Sequence, residues 1–395
     1  MFLREDKNEK KYMKRKIIII GPTYPYRGGN SLFVTFLYDA LSENYNVQVL
    51  NYKLLYPNIL FPGKTQFDLS NEVKKIESIR LVNSINPISW FEVAKYINKA
   101  NPDLVIFDWW HPFFAFCHFT ISSLLKKELK NKVVFIPENF ISHEKNLFEN
   151  VLTRIGLSKA KYFIALSHKV ENDLKLIAGG RKIFRSELPV YNHLAGEVTQ
   201  VDEIRKKFGI NQNEKVLLFF GYIRKYKGLD LLLEGLKILI DKAEHLNLKL
   251  LVAGEFYDDK KFYLELINKF NLQNFVQIFD EYIPNEKVKE FFIVSDLVVL
   301  PYRSATQSGI LNLSYGFNKP VVITDVGGLS EFVIPEKTGI IAKESTPESI
   351  SDAILKYFEL SGQVDFKVNI KEYCEKNSFK DFKEIIDNIF KEISE

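Results

Sequence analysis

The sequence predicts an α/β protein built of two doubly wound domains that face each other across a cleft. Strand-length apolar runs alternate with helix-length amphipathic segments, and that alternation restarts once along the 395 residues. Runs such as IIII at 17–20 and LLFF at 217–220 are apolar on every residue. Such strands bury both faces, as they do when helices cover both sides of a parallel sheet.

The elements follow in order. In the first half, strands are expected at 16–20, 47–51, 103–107, 132–136 and 161–166. Helices are expected at 31–41, 90–100, 114–127 and 170–178. In the second half the strands are 215–220, 248–253, 275–279, 296–300 and 321–324, and the helices 229–243, 260–270, 285–293 and 347–359. A polar stretch without periodicity, PVYNHLAGEVTQVDE, leads to a short helix near 204–208. Exposed polar linkers mark domain junctions, so the boundary is expected at about 195–200. That gives a charged tail at 1–15, domains at 16–198 and 199–377, and a last segment at 378–395. Phe382, Ile385, Ile386, Ile389, Phe390 and Ile393 of that segment recur at helical spacing, which predicts a helix packing back on the first domain.

Composition excludes several classes. Lys+Arg 54 against Asp+Glu 50 gives a net charge of +4, far from a dedicated nucleic-acid binder. Two cysteines, Cys117 and Cys374, exclude a disulfide framework and a Cys-x-x-Cys site and suit a reducing compartment. The first sixteen residues carry seven Lys/Arg and three Asp/Glu with no apolar stretch between them and the first strand, unlike a secretory signal. The longest apolar region, 109–125, is interrupted by His111, Pro112 and His118 and falls short of the ~20 residues of a membrane span. It reads as an aromatic loop followed by a buried helix. A cytoplasmic protein is expected, with room for peripheral contact at the inner face of the membrane. Gly-x-Gly-x-x-Gly, a Walker loop, Asp-x-Asp, Gly-x-Ser-x-Gly and metal-ligand histidine spacing are all missing. Nicotinamide, ATP and zinc chemistry are disfavoured, and neither metal nor cofactor is expected.

Four segments carry chemistry. GPTYPYRGGN ends the first strand, and its Gly28-Gly29 pair lets backbone N–H groups and a helix N-terminus approach a phosphate. A tight turn needing positive φ is the alternative. GYIRKYKG, Gly221 to Gly228, places Arg224, Lys225 and Lys227 beyond the first strand of the second half, where cations would neutralise a diphosphate. A solvated basic loop is the bland reading of these charges. Ser304-Ala305-Thr306-Gln307-Ser308-Gly309, before a helix starting near Ile310, offers hydroxyls, an amide and free N–H groups to an anion or a sugar. Simple helix capping would use fewer of them. PENFISHEKN puts Glu138, His143 and Glu144 in a loop at a strand end, where a histidine beside carboxylates could act as base or orient a sugar. DWWHP adds Trp109, Trp110 and His111, which either stack on an acceptor or belong to the core.

The succession GYIRKYKG, LLVAGEF, VSDLVVLPYRS, NKPVVITDVGGLSEFV and EKTGIIA resembles the family-4 nucleotide-sugar-dependent glycosyltransferases, retaining enzymes of GT-B fold. The likeness is strong over 215–360 and looser before it. It implies two Rossmann-like domains clasping a nucleoside-diphosphate sugar, with the acceptor on the first domain. Lys227 matches the family's diphosphate lysine. Tyr222 stands where its arginine usually is, with Arg224 two residues on as the substitute. Gly28 and Gly29 match the diphosphate-facing loop. The family's two glutamates, eight positions apart, are replaced by Ala305 and Leu313, or by Thr306 and Ser314 if Gly309 is the anchor. This places the chain in a divergent branch, in which Gly221, Thr306, Gln307, Ser308, Gly309 and Ile310 are expected to hold the donor.

The resemblance implies glycosyl transfer to a hydroxyl of a saccharide or lipid-linked acceptor, in cell-surface polysaccharide or glycolipid synthesis. With retention, the leaving phosphate takes the acceptor's proton, and Lys227 and Arg224 supply electrostatic stabilisation. Inversion would require a base, with His143 or Glu144 the candidates. The alternatives are a catalytically silent nucleotide-sugar binder and, further off, a sugar-nucleotide epimerase.

Overall fold

The architecture was obtained as a computed structural model, and it describes residues 14–61, 63–138, 147–186, 189–190 and 201–395. The N-terminal sheet contains seven parallel strands in the order β3-β2-β1-β4-β5-β6-β7. They are β1 Lys16–Ile20, β2 Asn46–Leu54, β3 Ser78–Asn83, β4 Leu104–Trp109, β5 Val133–Pro137, β6 Tyr162–Ala165 and β7 Lys182–Arg185. The C-terminal sheet has six, in the order β10-β9-β8-β11-β12-β13. These are β8 Lys215–Phe220, β9 Leu248–Ala253, β10 Val276–Phe279, β11 Leu297–Leu300, β12 Val321–Thr324 and β13 Gly339–Ala342. Both sheets reverse their winding beside a central strand, β1 or β8. Ligands of doubly wound sheets bind at such switch points, outside the carboxyl ends of the strands.

The central strands are apolar because both faces are covered. Ile17 to Ile20 are all fully buried. Ile17 and Ile19 face helix α1, Gly29–Ser42, while Ile18 and Ile20 face the layer containing α2, Pro87–Ala100. The 109–125 stretch divides as expected. β4 ends at Trp109, a 3-10 turn spans Pro112–Phe114, and α3 covers Ala115–Ser123. Among the described residues no helix is long and apolar enough to cross a membrane.

The expected boundary at 195–200 lies outside the described residues. The final helix, Lys380–Ser394, packs on α1. Its Phe382, Ile386 and Ile389 are fully buried, and the Phe382 ring lies 6.1 Å from that of Phe33. The chain thus returns to its first domain, and one apolar core runs from Ile17 through residues of the C-terminal domain to Phe390.

Candidate active site

The carboxyl edge of the C-terminal sheet holds the basic loop in a fixed shape. After β8 the chain turns at Gly221, with φ of 98°, then forms a 3-10 turn over Lys225–Lys227 and turns again at Gly228, with φ of 70°. A Cβ at Gly228 would collide with the Pro301 carbonyl oxygen at 2.0 Å, so only glycine fits the close approach. Arg303 clamps this loop from the β11 side. Its Nη1 donates to the Lys225 carbonyl at 2.9 Å, and its two Nη atoms grip Asp230 at 2.8 and 2.7 Å.

Inside the loop the Lys227 side chain turns inward and is buried, 8% exposed. Its ammonium would stand 3.1 Å from a Cβ at Gly221, which also lies 3.3 Å from Ile310 Cδ1, and it sits 5.7 Å from the Tyr302 ring centroid. Among the described residues no carboxylate or hydrogen-bond acceptor answers it. Burial first, then repulsion by Arg224, pull its pKa down to about 8.

A helix starts beside this ammonium. The helix Gly309–Gly316 is capped by Ser308, whose hydroxyl accepts from the Leu311 N–H at 3.3 Å. Tyr302 Oη lies 3.3 Å from the same hydroxyl. The Gln307 Oε1 is buried without a partner among the described residues. Across the cleft, α1 begins at Gly29 with no side-chain cap, and Gly28 has φ of 108°. A Cβ at Gly28, Gly29 or Gly309 would meet nothing within 4 Å. Gly28 is explained by its backbone angle. Gly29 and Gly309 have neither positive φ nor a crowding neighbour, which leaves open space over two helix N-termini. We therefore expect Gly309→Leu to leave the thermal stability of the protein near wild type, because the added side chain fills only open space over the helix start. A melting curve checks this.

The two lobes are joined through this site. Arg27, adjacent to Gly28, forms a buried ion pair with Glu255, which follows β9, with side chains 1% and 4% exposed. Its guanidinium lies 4.4 Å over the Tyr282 ring and 5.5 Å over that of Tyr222. A second bridge has Glu331 accepting from the His168 and Lys169 N–H groups at 2.6 and 3.0 Å, from the C-terminal domain to the start of a helix in the N-terminal one. A third joins Asn285 to Ser70 and Asp68.

The structure thus brings together Gly221, Lys227, Ile310, Gly309 and Ser308, with Gln307 and the buried Thr306 in the same turn. Arg224 is exposed, and its guanidinium lies 5.0 Å over the Tyr257 ring. The guanidinium beside Tyr222 belongs to Arg27 instead. Position 314, where the alignment anchored on Gly309 expects a family glutamate, holds an inward-turned serine. The Ser314 hydroxyl is fully buried and donates back to the Ile310 carbonyl at 2.7 Å. His143 and Glu144 lie outside the described residues.

The acceptor-side expectation needs one correction. Trp109 is fully buried among core residues of the N-terminal domain, because it is the last residue of a strand covered by the α3 layer. We expect Trp109→Ala to cost about 3–5 kcal/mol by leaving a cavity, with no separate effect on substrate binding, as denaturant unfolding and binding titrations would show. Trp110 is half-buried and donates its indole N–H to Tyr56 Oη at 2.9 Å. His111 is exposed, with Nδ1 accepting from the Phe113 N–H at 3.1 Å.

Sequence reasoning did not single out Arg27, Glu255 or Glu331 as site residues. Each stood inside a segment noted for other reasons, GPTYPYRGGN, LLVAGEF and GGLSEFV. Nothing local signals a pairing across 228 positions.

Two facing, doubly wound parallel sheets with a cationic, glycine-lined gap define a protein of GT-B fold. Residues 200–379 match the family model of glycosyl transferases group 1. The chain is 24% identical over 218 residues to a putative teichuronic acid biosynthesis glycosyltransferase of Bacillus subtilis, covering 54% of this chain and 51% of that one. It therefore spans about half that relative's length. It is 22% identical to the N-acetyl-alpha-D-glucosaminyl L-malate synthase of Bacillus anthracis, over 87% of each chain. Among solved structures, Anabaena HepE in complex with UDP superposes with a TM-score of 0.72 at 13% identity, covering 96% of this chain and 100% of that one. A glycosyltransferase from Rickettsia africae gives 0.70 at 19% identity, covering 97% and 100%.

Proposed function

We propose that the protein transfers a glycosyl group from a nucleoside-diphosphate sugar to a hydroxyl acceptor, with retention at the anomeric carbon. The observation that carries this reading is the buried Lys227 ammonium with no anionic partner among the described residues. A buried cation without a counter-charge is costly, and a site shaped for a diphosphate supplies that charge on binding. The open N-termini at Gly29 and Gly309 add backbone donors. Ser308 and Gln307 face the sugar, and Gly28 and Gly29 face the pyrophosphate. As the anomeric C–O bond to phosphate breaks, charge grows on the leaving oxygen, and fixed donors stabilise it there. The departing phosphate accepts the hydroxyl proton, so this branch of the reaction needs no protein base. No metal or cofactor takes part in this scheme.

The named function of the Bacillus subtilis relative, teichuronic acid biosynthesis, supports a place in cell-surface polysaccharide or glycolipid synthesis, and a saccharide or lipid-linked acceptor at the cytoplasmic side completes the proposal. A second reading, nucleotide-sugar binding without turnover, is favoured by the inward-turned Ser314 and the absent carboxylates. A panel of nucleotide sugars screened by thermal shift, followed by measurement of nucleotide release, decides between them. Release of the nucleoside diphosphate with a glycosylated product supports transfer. Stabilisation without release supports the silent binder, and neither one contradicts both.

A further inference from the structure

One face of the N-terminal domain carries apolar side chains where surface helices ordinarily carry polar ones. Three helices form that layer: α2, α3 and the helix Leu147–Leu157. They are neighbours. Asn98 of α2 donates to the Leu124 carbonyl at 3.0 Å and accepts from the Lys126 N–H at 2.8 Å, just past the end of α3. A Cβ at Gly156, near the end of the third helix, would lie 3.0 Å from Ala115 Cα at the start of α3. Their inward sides are those of ordinary amphipathic helices, with Val93, Ile97, Ile121 and Leu157 buried in one core.

The outward sides are not ordinary. Ile88 and Phe91 of α2, Phe116 of α3, and Phe148 and Val151 of the third helix are each more than half exposed. Single exposed apolar residues need no explanation, but a group of them on three neighbouring helices forms a patch, and patches mark contact surfaces. The exposed lines then turn basic. Ile88, Phe91, Lys95 and Lys99 follow one another at three- and four-residue spacing along α2, all exposed. Phe148 and Val151 lead at the same spacing to exposed Arg154. Lys126 and Lys127 are exposed beyond α3, and the Lys159 ammonium stands 5.2 Å over the Phe119 ring. Across residues 87–100, 115–130 and 147–160 the exposed acids are Glu92 and Glu128, so cations prevail. α2 and α3 begin just after the carboxyl ends of β3 and β4. Ile88, Phe91 and Phe116 therefore lie in or next to first turns, toward the sheet edge that borders the cleft.

We propose that this face rests on an anionic lipid surface, with the apolar side chains in the headgroup boundary and the basic residues against lipid phosphates. Apolar residues bordered by Lys and Arg are the pattern of helices that lie in a membrane interface, and the charge excess selects anionic lipid. A second copy of the chain fits the patch less well, because a two-fold contact sets its cations against their own kind. Lipid binding itself requires no substrate. Its consequence, that a lipid-linked acceptor reaches the cleft from the bilayer side, rests on the glycosyl-transfer reading.

Flotation of the full chain with vesicles tests the assignment. Binding to vesicles of phosphatidylglycerol and phosphatidylcholine in equal parts should be at least about tenfold tighter than to phosphatidylcholine alone, and should weaken as salt rises. Ile88→Ser combined with Phe91→Ser and Phe116→Ser should weaken binding to the mixed vesicles at least about tenfold. Lys95→Glu with Lys99→Glu should do the same and leave the weaker binding to phosphatidylcholine unchanged. All the altered positions are exposed, so both variants should melt near the wild type. If the apolar variant melts low, the lysine variant decides. A wild type that does not float, one that binds both vesicles equally, or a lysine variant that floats like the wild type overturns the proposal. So does a wild-type dimer that the apolar variant splits without any flotation, which gives the face to a second copy. The thermal shift by UDP should be the same in every variant. Its absence from the wild type counts against the nucleotide-sugar reading and leaves the vesicle result to stand alone.

Discussion

Lys227→Ala should lower nucleotide-sugar turnover at least about a hundredfold, the scale of losing one key transition-state donor. The same change should abolish the thermal shift caused by UDP. Lys227→Met, which keeps the volume, should do both and also raise the melting temperature of the free protein. The reason lies in the sign of the pKa change. Burial lowers the ammonium to about 8 from 10.5, so the folded state disfavours the charged form. The free protein therefore carries a penalty below pH 8 that fades as pH rises from about 8 toward 10.5. A methionine at 227 removes that penalty, and its melting temperature should rise less with pH across this window. A diphosphate reverses the preference by pairing the charge, so UDP affinity should fall as pH rises above the free enzyme's limb. Calorimetric titration of UDP and melting curves across pH 7–10 measure both effects. A Lys227→Met protein that is less stable at pH 7 and still binds UDP would contradict the assignment.

Arg27→Ala should destabilise the protein by about 3–5 kcal/mol, the cost of leaving the buried Glu255 carboxylate without its partner. The pair stands between the lobes, so the loss should also appear as separate unfolding of the two domains in a melting curve. Removing both charges together, as Arg27→Met with Glu255→Leu, should recover much of the stability, because neither ion then has to be kept from water. Recovery of stability without recovery of turnover would show that the pair sets the closure geometry as well. If Arg27→Ala melts like the wild type, the ion pair is not buried in solution and the lobes stand further apart.

Much of the fold was legible because central strands declare themselves. β1, β8, β9 and β12 begin and end where their apolar runs do. The strands that escaped notice, β3, β7 and β13, all lie at sheet edges. An edge strand has fewer neighbours and needs fewer apolar residues, and Ser78–Asn83 and Lys182–Arg185 are accordingly half-exposed. The helix at Leu147–Leu157 is hidden in the sequence because the polar residues just before it, SHEKN, blur where its apolar period begins. In the site, Lys227 and the paired glycines were readable because strand, glycine and cation stand in order along the chain. The inward turn of Lys227 depends on Arg303 gripping the loop from β11, which spacing does not show. Trp109 was ambiguous because a strand's last residue can face either the cleft or the core. The pairing of Arg27 with Glu255 joins segments that follow strands of different sheets and becomes visible only when the sheets are assembled.

A structure of the complex with UDP tests the central claim most directly. The account predicts a β-phosphate oxygen at about 2.7–2.9 Å from Lys227 Nζ, with the pyrophosphate over the N–H groups at Gly29. UDP bound elsewhere, with the Lys227 ammonium still unanswered, would contradict it.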